Sequence, residues 1–441
     1  MNEKLLQYIW QFQLFNKKEI KTTDNNDLKV LLPGNLNKNQ GPDFLNGKIK
    51  IDDTIWFGNV EVHIKSSDWR LHKHSEDENY KNVILHVVWE HDEELNLGFP
   101  TLSLQTLVPK LLINKYISIM NTETFIPCES TVASIKAITI EKWKERLLTE
   151  RLQEKTMAIE NLLKKSNGNW NEVCWWTLAK SFGGNVNGEA FEAIAQSIPL
   201  NILQKHSDSL FCLEAIIIGQ SGLLNKKFRE SYPNDLFREY LFYKKKYSLR
   251  QPQVSLYYLR MRPANFPTIR LAQLCAFIKK ENRLISKIIE EPDIEKLSDL
   301  LLLNTSDYWN THYRIDEPSI TKLKTIGRQT INNIVINTMV VLLYAYGYYH
   351  DNENLKSKAI KWMDEIPAEQ NNITLGFEKI GFSNHSSFDS QALFHLKNKY
   401  CQHKKCLECA IGNEILRNEN NPLITTNHTL LQPANRDVSF S

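Results

Sequence analysis

The chain has 441 residues, of which 42% are hydrophobic and 24% are charged, and its formal net charge is +3. A chain of this size buries a large core and divides into two or three domains, and its nearly balanced charge excludes a strong overall field that would draw it to DNA or membranes. The first residues lack the pattern of an export signal, and the longest apolar stretch, residues 334–346, is too short to span a bilayer. We therefore predict a cytoplasmic protein with no membrane partner.

The first element is an amphipathic helix, predicted over residues 3–14. Apolar residues recur there at helical spacing, and Glu3 falls on the first turn, where the helix dipole favours a carboxylate. A strand at 28–32 follows. A loop rich in Asn and Gly then leads to Asp43.

Residues 41–69 are the most informative stretch, because their alternation predicts a β-hairpin with acidic residues at its open end. On the outgoing strand, Glu61 and His63 share one face. A three-residue loop would place Asp43 opposite Glu61, whereas a two-residue loop or a bulge at Gly58 would shift the register by one. Two carboxylates held together on rigid strands repel each other unless a cation or a shared proton compensates them. We therefore expect a hard divalent cation here.

This hairpin resembles the active site of the PD-(D/E)XK nuclease superfamily. In that pattern an acidic residue begins one strand, and the next strand carries an acidic residue, any residue and a lysine; Asp43 and Glu61 match, and His63 stands at the lysine position. The resemblance implies that Asp43 and Glu61 hold Mg²⁺ or Mn²⁺, and that His63 or Lys65 orients the attacking water or contacts the phosphate. It also gives Glu3 two interpretations, a capping-turn residue or a further carboxylate facing the metal.

A longer resemblance covers nearly the whole chain. The stretches that carry it are LLQYIWQFQLF, NQGPDF, GNVEVHIKSSDW, NVILHVVWEHD and YCQHKKCLECAIG. They are similar to an uncharacterised bacterial family, the domain of unknown function numbered 2851, which implies no established activity. Two functions stay open: a metal-dependent nuclease acting on DNA or RNA, and a catalytically inactive nuclease-fold scaffold that binds a protein or nucleic-acid partner. His63 in place of lysine favours the scaffold, and the two acidic residues favour the enzyme.

Four metal-capable residues crowd into the loop after the hairpin: Asp68, His72, His74 and Asp77. The His-x-His spacing occurs in zinc sites. The two histidines are interpreted as metal ligands, as phosphate contacts at the mouth of the site, or as ordinary loop residues. A zinc hydrolase centred on them would need a nearby carboxylate and an open metal position.

The rest of the chain predicts an α+β fold. The apolar run at 82–89 is typical of a strand buried on both faces, with His86 as a core histidine whose hydrogen bonds are satisfied. From about residue 130 helical patterns dominate. We predict an α/β domain at 1–125, which the resemblance implies is restriction-endonuclease-like, a mostly α-helical domain at 126–417, and a mobile tail at 418–441.

A basic stretch of the helical region is the candidate nucleic-acid surface. Its members are Lys245, Tyr258, Arg260, Arg262 and Arg270. Arginines near a helix N-terminus suit phosphate, and tyrosines stack on bases. A solvated basic face is the alternative interpretation.

Three cysteines towards the C-terminus, Cys401, Cys406 and Cys409, have the spacing of a metal site. Thiolates in this pattern hold zinc or an iron–sulfur cluster; the alternative is three reduced thiols packed on a helix. A metal requires the chain to turn between them, because a continuous helix would point Cys401 away from the other two. The fourth ligand has four candidates: Cys128, His385, His395 and His403.

Overall fold

A computed structural model describes residues 1–418, and the chain divides into two compact units. The first comprises residues 1–143 together with the segment that begins at Lys397, and the second comprises residues 144–396. This division differs from the continuous domains expected at 1–125 and 126–417, because a C-terminal segment joins the first unit. Apart from Asn418, the tail expected to be mobile lies outside the described residues.

The first unit is built on a mixed six-stranded sheet. Its strands are β1 (Leu28–Leu32), β2 (Asn35–Leu36), β3 (Phe44–Ile51), β4 (Thr54–Lys65), β5 (Val83–Glu90) and β6 (Thr101–Ser103). The order is β1-β3-β4-β5-β6, with β2 paired to β3. The pairs β1–β3 and β3–β4 are antiparallel, whereas β4–β5 and β5–β6 are parallel. The first six residues of β5 are buried, as its apolar run predicts.

Helices α1 (Glu3–Gln11), α2 (Asp68–Leu71) and α3 (Lys110–Asn121) come from the same N-terminal stretch as the sheet. Helix α1 packs against β4. Its N-cap residue Asn2 accepts a hydrogen bond from the backbone N–H of Leu5 at 2.9 Å, which satisfies one of the unpaired donors of the first turn. Glu3 and Gln7 are four residues apart and therefore share one face of this helix.

The hairpin reaches its register by two compensating shifts. A two-residue turn joins its strands, so that Ile51 pairs with Thr54. A bulge at Asn46, which has a φ of 59°, then changes the pairing by one residue. The two offsets cancel, and Asp43 comes to lie beside Glu61, whose carboxylate accepts a hydrogen bond from the Asp43 backbone N–H at 3.0 Å.

The second unit is mostly helical, which confirms the α+β class with a sheet near the N-terminus. Its helices are α4 (Ala137–Lys165), which begins in the first unit, α5 (Trp170–Gln196), α6 (Leu200–Lys205), α7 (Leu210–Gln220), α8 (Ser231–Lys246), α9 (Pro267–Lys280), α10 (Leu284–Glu290), α11 (Ile294–Asp299), α12 (Asp307–Asn310), α13 (Arg328–Ile334), α14 (Val341–Tyr349), α15 (Glu353–Glu365), α16 (Asn372–Lys379) and α17 (Ser387–His395). Two short strands, β7 (His312–Arg314) and β8 (Glu317–Pro318), form a small hairpin.

Helices α13 and α14 are joined by a π-helical stretch, Val335–Val340, and the helix is continuous from Arg328 to Tyr349. Its length and apolarity are those of a membrane span, which corrects the expectation of a stretch too short to cross a bilayer. However, 72% of its most apolar window is buried inside the fold. Packing in the core of the second unit accounts for this apolarity.

Helix α17 continues into a π-helical turn, Leu396–Cys401, and from Lys397 onwards the chain belongs to the first unit. The last helix, α18 (Ala410–Arg417), packs against α3. Its Glu414 carboxylate accepts a hydrogen bond from the backbone N–H of Lys136 at 3.0 Å. The described C-terminal residues are therefore an integral part of the first unit.

We predict that Gly58→Ala loosens the contact between β4 and β5. A Cβ at Gly58 would lie 2.4 Å from the carbonyl oxygen of Asn82 and 2.5 Å from Cγ2 of Ile84, and overpacking of this kind costs about 1–3 kcal/mol. The expected result is a lower urea midpoint for unfolding of the first unit. Gly327→Ala is the control, because a Cβ there meets no atom within 4 Å; equal midpoints for the two variants would contradict the prediction.

Candidate functional site

Asp43 and Glu61 occupy one pocket at the open end of the hairpin. The Asp43 carboxylate accepts hydrogen bonds from Gln7 Nε2 at 2.9 Å and from the backbone N–H of Val62 at 3.2 Å. Glu61 is only 4% exposed, and Asp43 is half-buried. Helix α1 and the two strands therefore fix both carboxylates, as the alternation of the hairpin predicted.

Three histidines converge on the same pocket. His63 Nε2 lies 3.2 Å from His72 Nδ1 and 3.3 Å from His74 Nε2. Glu61 Oε1 lies 3.3 Å from His63 Nε2 and 3.5 Å from His74 Nε2. His63 is 1% exposed, His74 is half-buried and His72 is exposed, so the group runs from the interior to the surface.

These separations are those of ligands around one ion. A tetrahedral zinc site with Zn–N bonds of about 2.0–2.1 Å holds its donor atoms about 3.3 Å apart. The ligand atoms of His63, His72 and His74 all lie within 4.8 Å of one another. Because nitrogen lone pairs that face each other repel unless a proton or a metal lies between them, the cluster is a candidate metal centre with Glu61 beside it.

The surrounding residues set the orientation of the histidines. Lys73, between His72 and His74, has a left-handed φ of 58°, and this sharp turn brings both rings towards the pocket. The Tyr80 ring stacks on His74 with a centroid distance of 3.9 Å. Trp69, 3% exposed, meets His74 edge-on at 5.3 Å. The loop after the hairpin is thus held in place by aromatic packing.

His86 supports His63 from the core. His63 Nδ1 lies 2.9 Å from His86 Nε2, and a metal on His63 Nε2 would fix the proton of His63 on Nδ1, where it donates to His86. His86 Nδ1 is buried with no hydrogen-bond partner among the described residues. The expectation that His86 is a fully satisfied core histidine is therefore wrong for one of its two nitrogens.

Glu3 and Lys65 have different neighbours. Glu3, on the first turn of α1, interacts electrostatically with His72, Asp43 and Glu61, so it borders the pocket and is not solely a capping-turn residue. The Lys65 ammonium instead lies 3.7 Å from an Asp92 carboxylate oxygen at the end of β5.

Burial raises the pKa of both central carboxyl groups. The pKa of Glu61 rises to about 9, with the Asp43 charge adding to burial, and that of Asp43 rises to about 6. Burial lowers the pKa of His63 to about 2 and that of His86 to about 3, with further lowering by neighbouring histidines. Without a metal, His63 and His86 are therefore neutral and Glu61 is protonated at neutral pH.

The candidate nucleic-acid residues of the second unit have different environments. Lys245, Arg260 and Arg262 are exposed. Arg270 is buried and donates to Asn265, Gln273 and Thr330, so it stabilises the interior and is not available on a basic surface. The Tyr258 ring is covered by the Arg314 guanidinium at 4.8 Å, which occupies a face that a base would need.

The C-terminal cysteines gather with one of their four candidate partners. Cys406 and Cys409 are buried, Cys401 is half-buried, and Cys128 is buried near them in the same unit. His395, by contrast, lies in the second unit, with Nε2 3.5 Å from a Glu150 carboxylate oxygen.

Residues 3–372 match a family described as "Protein of unknown function (DUF2851)". The chain belongs to the DUF2851 family. This confirms the family resemblance found in the sequence, and the matched range includes every residue of the N-terminal pocket but ends before the three C-terminal cysteines. No curated protein and no solved structure matches the chain. The residues of this DUF2851 protein itself therefore carry the evidence for its function.

Sequence reasoning missed the grouping of His63 with His72 and His74. The sequence pattern places His63 at the lysine position of the nuclease motif and predicts a separate loop site for the other two. A usable signal was present, because His63 shares a strand face with Glu61 and the loop carrying the other histidines begins only a few residues later.

We predict that metal affinity rises with pH between about 6 and 9. Metal binding must release the proton that burial keeps on Glu61, so the affinity should increase by up to about tenfold per pH unit for one proton. Calorimetric titration of the metal-free protein with Zn²⁺, in two buffers of different ionisation enthalpy, measures both the affinity and the proton release. Glu61→Gln should bind the metal without releasing this proton. A wild-type affinity that does not change with pH would contradict the prediction.

We further predict that His86→Leu weakens metal binding by about 10–100-fold, because the loss of a residue that orients a metal ligand has an effect of this size. The control is His350→Ala on the exposed end of α14, which should bind metal as the wild type does. Competition with a chromophoric chelator gives both affinities. Identical values would show that His86 does not position His63.

Proposed function

We propose that this protein is a metal-dependent hydrolase of phosphodiester bonds in nucleic acid, with its active site in the pocket around Asp43, Glu61 and His63. The observation that carries the proposal is the convergence of two carboxylates and three imidazoles on one partly open pocket. Perturbed titratable groups gathered around ligand atoms are typical of catalytic sites.

The order of elements around the pocket supports the nuclease assignment. Asp43 directly precedes β3 and Glu61 lies on the adjacent antiparallel strand β4, as the PD-(D/E)XK resemblance requires. Helix α1 packs on β4 and brings Glu3 to the same pocket. A helix, an acidic hairpin and the parallel strand β5 thus surround the two carboxylates.

Three imidazole nitrogens favour a transition-metal ion over Mg²⁺. Mg²⁺ prefers oxygen ligands in octahedral geometry, whereas imidazole suits zinc, iron and related ions. The nuclease resemblance implies Mg²⁺ or Mn²⁺. Of these two ions Mn²⁺ stays a candidate, because it is compatible with carboxylate oxygens. We therefore propose Zn²⁺ or Mn²⁺ as the working ion, with Asp43, Glu61 and the three histidines supplying its ligands.

Some residues of the pocket would hold the metal ion, and others would contact the substrate. His63, enclosed by Glu61, His72 and His74, suits a metal ligand better than a group that activates water. A bound ion of this kind lowers the pKa of water and stabilises charge on the scissile phosphate. The exposed positions of His72 and Glu3 leave the mouth open to an extended substrate. Lys65 lies half-exposed at the end of β4 and is the candidate phosphate contact.

We predict that the purified protein cleaves a fluorescent DNA or RNA oligonucleotide in the presence of Mn²⁺ or Zn²⁺. Asp43→Asn and Glu61→Gln should each reduce the rate by at least about 100-fold, because loss of a ligand costs no less than loss of a supporting residue. The rates are measured by gel electrophoresis after separate purification of each variant.

The matched control is Asp53→Asn, in the exposed turn at the other end of the same hairpin. It removes one carboxylate from the same element and should cleave at the wild-type rate. Equal residual cleavage by Asp43→Asn, Glu61→Gln and the wild type would indicate contamination. Metal binding without cleavage would contradict the enzyme and support the binding scaffold.

A further inference from the structure

The cysteine-rich C-terminal segment folds as a turn. The preceding helix ends at Cys401, and Lys404 adopts a left-handed conformation with a φ of 50°. The backbone N–H of Cys409 then donates to the carbonyl of Cys406 at 3.4 Å, which closes the C-x-x-C sequence into a compact loop before α18. The alternative of three thiols on one continuous helix is therefore wrong.

One sulfur atom of this loop, that of Cys409, faces several hydrogen-bond donors. A Cβ at Gly412 would lie 2.1 Å from the carbonyl oxygen of Cys406, so glycine is needed for the loop to approach α18 so closely. The Cys409 sulfur accepts hydrogen bonds from the backbone of Ile411 and Gly412 and from the Trp143 indole. Burial raises the pKa of the Cys409 thiol, and these donors partly offset the rise because they stabilise the thiolate, which is the form that binds metals.

Cys128 reaches this loop from a distant part of the sequence. The Lys397 ammonium donates to the carbonyl of Phe125 and lies 4.3 Å from the centroid of its ring. Lys404 donates to the carbonyl of Met120 at 2.5 Å. These contacts fasten the stretch around Cys128 to the C-terminal segment. Burial raises the pKa of the Cys128 thiol, and the neighbouring thiols of Cys409 and Cys406 raise it further.

We propose that Cys128, Cys401, Cys406 and Cys409 form a tetrathiolate metal centre, distinct from the histidine pocket. Four cysteine thiols gathered in one place, with donors aimed at one of the sulfurs, match the ligand set that soft metals select. The centre would bind α18 and the stretch after α3 together. It has no role in the proposed hydrolysis, so neither proposal depends on the other.

Of the two centres that four thiolates hold, the spacing favours an iron–sulfur cluster. Four sulfurs around one zinc ion, with Zn–S bonds of about 2.3 Å, would be about 3.8 Å apart. Within residues 1–418, no three of these sulfur atoms lie within 4.8 Å of one another. A cluster distributes its cysteine ligands over several iron atoms and therefore does not require three sulfur atoms so close together.

The test is metal analysis of full-length protein purified without oxygen. Iron, acid-labile sulfide and zinc are measured together with the visible spectrum in four samples: wild type, Cys128→Ser, the double variant Cys406→Ser/Cys409→Ser, and the control Cys212→Ser in α7. The double variant His72→Ala/His74→Ala is analysed in parallel to remove metal bound at the N-terminal pocket. X-ray absorption at the metal edge of the wild type identifies the ligand atoms without any substitution.

The expected result is iron with sulfide and a brown chromophore in the wild type, in Cys212→Ser and in the histidine variant, and its loss by at least tenfold in both cysteine variants of the centre. Zinc with a sulfur-only shell would support the four-cysteine centre and overturn the iron–sulfur assignment. Metal content unchanged in Cys128→Ser, or a wild-type metal with only nitrogen and oxygen ligands, would overturn the centre itself. If the cysteine variants do not fold, the absorption spectrum of the wild type decides.

Discussion

Two carboxyl groups buried side by side are the constraint on which the first unit depends. At a separation of a few ångströms, two like charges in a poorly solvated pocket repel by several kcal/mol. The protein orients Asp43 and Glu61 with donors from α1 and from the strand backbone, but these uncharged groups do not neutralise two charges. Only a proton or a cation does so. Whether a proton or a cation compensates the charge of this pocket therefore depends on the pH and on the metal that is present.

The histidines decide which compensation is possible. Neutral imidazoles bring no positive charge, and burial prevents His63 from acquiring a proton. Their lone pairs instead add to the electron-rich character of the pocket. Without a bound ion, this arrangement of lone pairs and carboxylates costs free energy. It becomes favourable when a divalent ion both accepts the lone pairs and neutralises the carboxylates. Oxygen and nitrogen ligands from three separate elements would then hold the first unit together at one point.

The sequence predicted the local elements well, and the long-range groupings only in part. Periodicity identifies the hairpin and β5, because side-chain alternation and continuous apolarity are properties of a single stretch. It cannot reveal that a two-residue turn and a bulge offset each other, or that the bulge lies at Asn46 on β3 and not at Gly58 as considered from the sequence. The burial of Arg270 was hidden for a similar reason: its partner Thr330 comes from a segment 60 residues further along the chain. The joining of Cys128 to the C-terminal loop depends on two segments more than 250 residues apart in the chain, and no local pattern records that contact.

The return of the C-terminal segment to the first unit also affects how the protein is made. During translation the sheet and α3 leave the ribosome first, but the segment that completes their unit follows only after the roughly 250 residues of the second unit. At about 5–20 residues per second, this interval lasts roughly 12–50 s. Throughout that time the surface of α3 that receives α18 has no cover from its own chain. The nascent protein therefore passes through a long period in which its first unit is incomplete while its second unit is still being synthesised.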